Sequence, residues 1–172
     1  DADISTLRLA FCGSAPLPLE LYKRFEAAAG VTICEGYGLT EATCLVSINP
    51  PDGEKRVGSI GNAFPYTDVK IISTATGEEV GVDEIGEICV SNPGVSMGET
   101  YTEADKNADL YYPGARSEKQ YLRTGDLGRR DRFGQRRGHR QVHPQFRGRR
   151  GLRDGGDGVR EVGANARRVR TL

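Results

Sequence analysis

The sequence predicts an α/β chain: the end of a parallel α/β subdomain, then a small β-barrel-like subdomain, then a disordered C-terminal tail. Three observations predict this. Residues 7–34 read as strand, helix, strand. After Asn49-Pro50-Pro51-Asp52-Gly53, short β-rich runs alternate with turns. Beyond Gly128 the apolar pattern gives way to Arg and Gly. The boundaries follow at 1–50, 51–128 and 129–172.

Leu7-Arg8-Leu9-Ala10-Phe11-Cys12 is a short apolar run stopped by Gly13, the pattern of a buried strand. A helix is expected next, because Leu21, Tyr22, Phe25, Ala28 and Ala29 form one apolar stripe. Pro18 stands near its start and Gly30 just past its end. Val31 to Cys34 returns as a strand. Strand, helix and strand in that order suggest a parallel sheet, with the Gly13 and Gly36 turns at its carboxyl edge, where open α/β sheets bind ligands. Val69–Ile72 and Ile85–Val90 are the next strands, separated by turns at Thr76-Gly77 and Asn92-Pro93-Gly94. Thr102–Leu110 is a candidate short helix. Past Gly128 there is no period of 2 or 3.6, and such a segment buries too little surface to offset its ordering entropy.

At 172 residues one globular domain is the prior. The formal net charge of zero averages two unlike parts. Residues 1–128 hold 10 Lys and Arg against 20 Asp and Glu; residues 129–172 hold 14 Arg, no Lys and 4 acids. Lys vanishes while Arg surges, as a reading-frame change in a GC-rich gene would produce. The competing reading is a binding module whose basic tail contacts nucleic acid through phosphates. Cys12, Cys34, Cys44 and Cys89 show no Cys-x-x-Cys spacing, which suits reduced thiols in a cytoplasmic protein. No apolar run reaches membrane-spanning length. The opening Asp1-Ala2-Asp3 suggests an internal piece of a longer chain.

The chemistry concentrates in Gly36-Tyr37-Gly38-Leu39-Thr40-Glu41. Within six residues it offers a ring to stack on a base, a hydroxyl for a phosphate oxygen and a carboxylate for Mg²⁺. The plainer reading of Thr40-Glu41 is a helix entry, and the two are compatible because a helix start also favours anions. Gly13-Ser14-Ala15 lacks the Lys and the spacing of a Walker loop. Asp126, after Thr124-Gly125 at an expected strand end, is otherwise an ordinary Asp turn. Arg123 reads as structural, in an ion pair. His139 and His143 have no zinc-type companions.

Four segments together resemble the adenylate-forming superfamily of acyl-CoA synthetases, luciferases and peptide-synthetase adenylation domains, with the nearest look to bacterial fatty-acyl-CoA ligases. They are Cys12–Pro18, Glu35–Glu41, Gly58–Pro65 with Asp68–Ile71 and Gly86–Val90, and Tyr121–Gly128. The resemblance implies that Gly13, Ser14 and Ala15 line an adenine pocket with Glu35, Gly36, Tyr37 and Gly38. It gives the Thr40 hydroxyl to the α-phosphate, Glu41 to Mg²⁺ and Asp126 to the ribose hydroxyls, with Thr40 and Glu41 catalytic. It implies ATP or AMP, CoA and a carboxylic acid as partners. It also implies that the phosphate-gripping loop and the catalytic lysine lie elsewhere in such enzymes, so this chain alone is expected to be inactive.

Overall fold

The computed structural model describes residues 3–53, 55–96, 100–107, 110–113, 120–132 and 142–145. Two sheets share one core. The first is mixed: β1 (Leu9–Cys12), β2 (Thr32–Tyr37), β3 (Ser47–Ile48) and β4 (Asn62–Ala63) lie side by side in that order. β1 and β2 are parallel, with Leu9 opposite Thr32 and Cys12 opposite Glu35. α1 (Leu19–Ala29) connects them, as the apolar stripe predicts. Pro18 precedes its first turn. Gly30 ends it in the left-handed conformation at φ 65°, donating its N–H to the Glu26 carbonyl at 3.0 Å, a stop that glycine makes without a Cβ penalty.

β2 is longer than the sequence suggests. Gly36 and Tyr37 do not turn; they continue the strand and pair antiparallel with Ile48 and Ser47. The reversal comes after Gly38. A Cβ on Gly38 would fall 1.4 Å from the Cys44 carbonyl oxygen, so the returning chain packs directly on its backbone. A 3₁₀ turn, Thr40–Ala42, occupies the reversal.

The second sheet is antiparallel and curled, in the order β5 (Asp68–Ile72), β6 (Gly86–Ser91), β8 (Gln120–Arg130), β7 (Tyr111–Pro113). Another strand, β9 (Val142–Gln145), pairs with Leu127–Arg130 at the far end of β8. The tail expected from residue 129 therefore begins within β8, and β9 gives its backbone groups partners; residues 133–141 and 146–172 lie outside the described residues. A short helix, α2 (Ala104–Asn107), falls within the expected Thr102–Leu110.

The core explains why the two sheets cohere. Tyr37, Val46 and Ile60 from the first pack with Ile71, Ile88, Val90 and Leu122 from the second. Ile71, Ile88, Val90 and Leu122 are fully buried, and burying each such side chain contributes roughly 1.5–3 kcal/mol. α1, by contrast, has no buried residue. Its stripe faces solvent, with Leu21 51% exposed, and Phe11 on β1 is 67% exposed.

Candidate functional site

Gly13, Ser14 and Ala15 follow β1 and are exposed. Ser14 sits at φ 66°, a conformation uncommon for a residue with a side chain. A Cβ on Gly13 would approach the Gly36 carbonyl oxygen to 3.1 Å, so this loop runs close beside β2. Cys12, Ala15, Pro16 and Leu17, the end of β2 and residues 58–60 border an open cavity of about 200 Å³. Ala15, Glu35, Gly36, Gly58 and Ser59 are among its lining residues.

Glu35 is fixed by the wall it helps to make. Its Oε2 accepts the Gly58 N–H at 3.0 Å, and its carbonyl accepts the Asn49 N–H at 2.8 Å. Asn49, 2% exposed, donates its Nδ2 to the Ser59 carbonyl at 2.6 Å. Asn49, Gly58 and Ser59 were not picked out as site residues by sequence reasoning. For Gly58 and Ser59 the signal is the Gly58-Ser59-Ile60-Gly61 pattern, whose glycines adopt φ 80° and 78°; Asn49 carries none beyond its place before Pro50-Pro51.

Tyr37 is 6% exposed, with its ring in the core. Its hydroxyl donates to Asp126 Oδ2 at 2.7 Å across 89 residues of sequence. The Tyr37 ring packs in the core and its hydroxyl holds Asp126.

Asp126 is not at a strand end. It lies inside β8 at a bulge, where Cys89 pairs with Arg123 but Glu87 pairs with Leu127, so three residues of β8 oppose Ile88 alone. Gly125 makes the bulge possible at φ 73°. Glu87 stabilises it from the neighbouring strand: Oε1 accepts the Gly125 N–H at 3.0 Å, and Oε2 accepts from Arg123 Nε at 2.9 Å. Arg123 is thus in the ion pair its position suggests. Thr124 completes the turn, donating to the Ile88 carbonyl at 2.8 Å and accepting the Asp126 N–H at 3.1 Å. The bulge swings the half-buried Asp126 toward Tyr37.

Thr40 is exposed, and its hydroxyl makes no hydrogen bond among the described residues. It does not cap a helix: Leu39 precedes the turn, with no side-chain cap, and the turn is three residues long. No helix start supports an anion there. Glu41 is half-buried and accepts a hydrogen bond from the Tyr101 hydroxyl on Oε1. Its carbonyl accepts the Ser96 N–H at 2.7 Å. Thus Tyr37 and Asp126 meet directly, and Thr40 and Glu41 follow three and four residues after Tyr37. Gly13 lies directly beside Gly36, and Ala15 lines the cavity with Glu35 and Gly36, whereas Gly13, Ser14, Tyr37 and Gly38 are not among its lining residues.

Among the described residues no group of three or more His, Cys, Asp and Glu side chains could hold a metal. His139 lies outside the described residues, and His143 pairs in β9 with Arg129. Of the basic tail from residue 129, where nucleic-acid contact was the competing reading, residues 133–141 and 146–172 lie outside them. Among the described residues no helix is long and apolar enough to cross a membrane. All four cysteines are free.

A family model described as AMP-binding enzyme matches residues 1–98. A probable 4-coumarate–CoA ligase of Dictyostelium discoideum is 38% identical over 138 residues, covering 77% of this chain and 23% of the relative. A long-chain-fatty-acid–CoA ligase of Bacillus subtilis is 37% identical over 132 residues, covering 77% and 22%. The chain spans about a quarter of the length of these relatives. The crystal structure of a long-chain-fatty-acid–CoA ligase from Archaeoglobus fulgidus superposes with a TM-score of 0.72 at 26% identity, covering 83% of this chain and 29% of that one.

Proposed function

The chain belongs to the AMP-binding enzyme family, and from that premise we propose that it carries the nucleotide half-site of an AMP-forming acid–thiol ligase. In that reaction a carboxylate oxygen attacks the α-phosphorus of ATP. Pyrophosphate leaves with the electron pair of the broken P–O bond, and an acyl-adenylate forms. The CoA thiol, losing its proton, then attacks the acyl carbon and AMP departs. The attacking carboxylate needs no activation, so the protein's work is alignment and charge stabilisation.

The observation that carries the proposal is the 2.7 Å bond between Tyr37 and Asp126, which joins two distant sequence motifs at one strand edge. In the proposed roles, Asp126 accepts from the vicinal ribose hydroxyls, since a carboxylate has acceptor capacity for two donors. The backbone of Gly13, Ser14, Ala15, Gly36 and Gly38 borders the adenine, with Glu35 holding the cavity wall. The exposed Thr40 hydroxyl donates to an α-phosphate oxygen. Glu41 would hold Mg²⁺, and a single carboxylate fits an ion that draws its other ligands from phosphate and water. Bound there, the ion would neutralise phosphate charge.

The acid is left open between aromatic and fatty, because relatives named for each match this segment almost equally. Free cysteines fit a reducing, cytoplasmic setting. The chain by itself is expected to bind AMP but not to turn over, since its sequence has no Lys after Lys119 to serve as the mobile lysine that the resemblance implies. Two assays test this. Calorimetry should detect AMP, and hydroxylamine trapping with ATP and fatty or aromatic acids should yield no hydroxamate. Hydroxamate formation would overturn the inactivity; absent AMP binding would overturn the nucleotide assignment.

A further inference from the structure

Glu41 is held by a segment 60 residues away. Gly94, Ser96 and Tyr101 are each tied to the 3₁₀ turn and the residue after it. The Thr43 hydroxyl donates to the Gly94 carbonyl at 2.5 Å, the Ser96 N–H donates to the Glu41 carbonyl, and the Tyr101 hydroxyl donates to Glu41 Oε1. Tyr101 is itself braced. Its ring packs against the hydrophobic core. Its N–H donates to Asn107 Oδ1 at 2.9 Å, and Asn107 Nδ2 donates back to the Tyr101 carbonyl at 2.6 Å. The carboxylate therefore has one oxygen occupied by a donor fixed on both its ring and its backbone. Oε2 accepts no side-chain hydrogen bond among the described residues and can turn toward a cation.

We propose that Tyr101 is a positioning residue: it orients the Glu41 carboxylate so that Oε2 faces the magnesium–phosphate site. This rests on the nucleotide reading above. A carboxylate free to rotate must be ordered when the ion arrives, and ordering a side chain opposes binding; a carboxylate already anchored avoids that cost. Asn107 serves the same end indirectly, by fixing the loop that carries Tyr101.

The test is a cation-linked binding measurement on the 172-residue chain. ATP affinity is measured by calorimetry with and without Mg²⁺, and AMP affinity without it, for the parent chain, Y101F, E41Q and the double variant. Hydrogen bonds to charged groups are the stronger kind, so Y101F should reduce the Mg²⁺-dependent gain in ATP affinity by about tenfold. AMP affinity without the ion should not change, and the double variant should match E41Q alone. A structural role alone would move both affinities or neither. An unchanged Mg²⁺ gain in Y101F, or additive losses in the double variant, would overturn the assignment. Failure of the parent chain to bind any nucleotide would instead sink the nucleotide reading and this assignment with it. Should Y101F not fold, N107S decides: a two- to threefold loss in the Mg²⁺ gain supports the positioning role, and no loss rejects it.

Discussion

At the scale of single residues, the Tyr37–Asp126 bond couples stability to the site. Tyr37→Phe keeps the ring in the core and removes one charge-assisted hydrogen bond, which should cost about 1.5–3 kcal/mol of stability. AMP affinity should fall several-fold as Asp126 loses its anchor; denaturant melts and calorimetry on the same variant check both. The cysteines give a second, pH-dependent prediction. Burial pushes the Cys89 thiol up to about 12, with the nearby Glu87 charge adding to it. Burial likewise raises Cys34, whereas Cys44 is exposed. At pH 8 a thiol reagent should modify Cys44 first and reach Cys34 and Cys89 only on unfolding. Because the folded-state value of Cys89 exceeds the unfolded one of about 8.5, its contribution to stability is complete below that pH. It is then lost progressively as pH rises toward 12. A Cys89→Ala variant should lose less stability than the parent across that interval, as denaturant titrations would record.

At the scale of elements, the bulge in β8 is the feature that sequence reasoning could not see. Thr124-Gly125-Asp126 reads as a turn at a strand end because Gly and Asp favour turns, whereas the structure uses the same residues to interrupt a strand without ending it. The deciding partner, Glu87, lies 38 residues before Gly125, and sequence spacing alone carries no sign of that contact. Removing it by Glu87→Ala would take the acceptor from the Gly125 N–H and break the ion pair with Arg123, at a cost of roughly 1–3 kcal/mol. AMP affinity should fall with stability, because Asp126 rides on the bulge; equilibrium unfolding and AMP titration check the pair. The same limit explains Gly36 and Tyr37. Glycine there looked like a turn, yet antiparallel pairing with Ile48 and Ser47 keeps both in the strand. Local propensity was sufficient where an element is closed by its own neighbours, as α1 is by Pro18 and Gly30. It was insufficient where a distant strand supplies the hydrogen bonds.

At the scale of the whole molecule, the parallel strand–helix–strand unit and the β-rich part after it were legible from the change in texture after residue 50. The antiparallel β3 and β4 that extend the first sheet past that point were not. Nor was the core shared by the two sheets, because it is built from side chains scattered from Tyr37 to Leu122. The outer side is less complete. Phe11, Leu21 and Phe25 are 67%, 51% and 36% exposed, so β1 and α1 present apolar surface to water. Such surface promotes association. Replacing these three with Ser should reduce light scattering of the isolated chain at high concentration while changing its unfolding midpoint little, since none of the three belongs to the core clusters.

The central claim is that Asp126 and the strand edge beside it form a ribose-reading nucleotide site. The most direct measurement compares the affinity of the chain for AMP and for 2′,3′-dideoxy-AMP, in the parent and in Asp126→Ala. The account predicts at least about tenfold tighter binding of AMP, as expected when a carboxylate loses two hydroxyl donors, and no discrimination in the variant. Equal affinity of the parent for the two nucleotides, or discrimination that survives in Asp126→Ala, would contradict it.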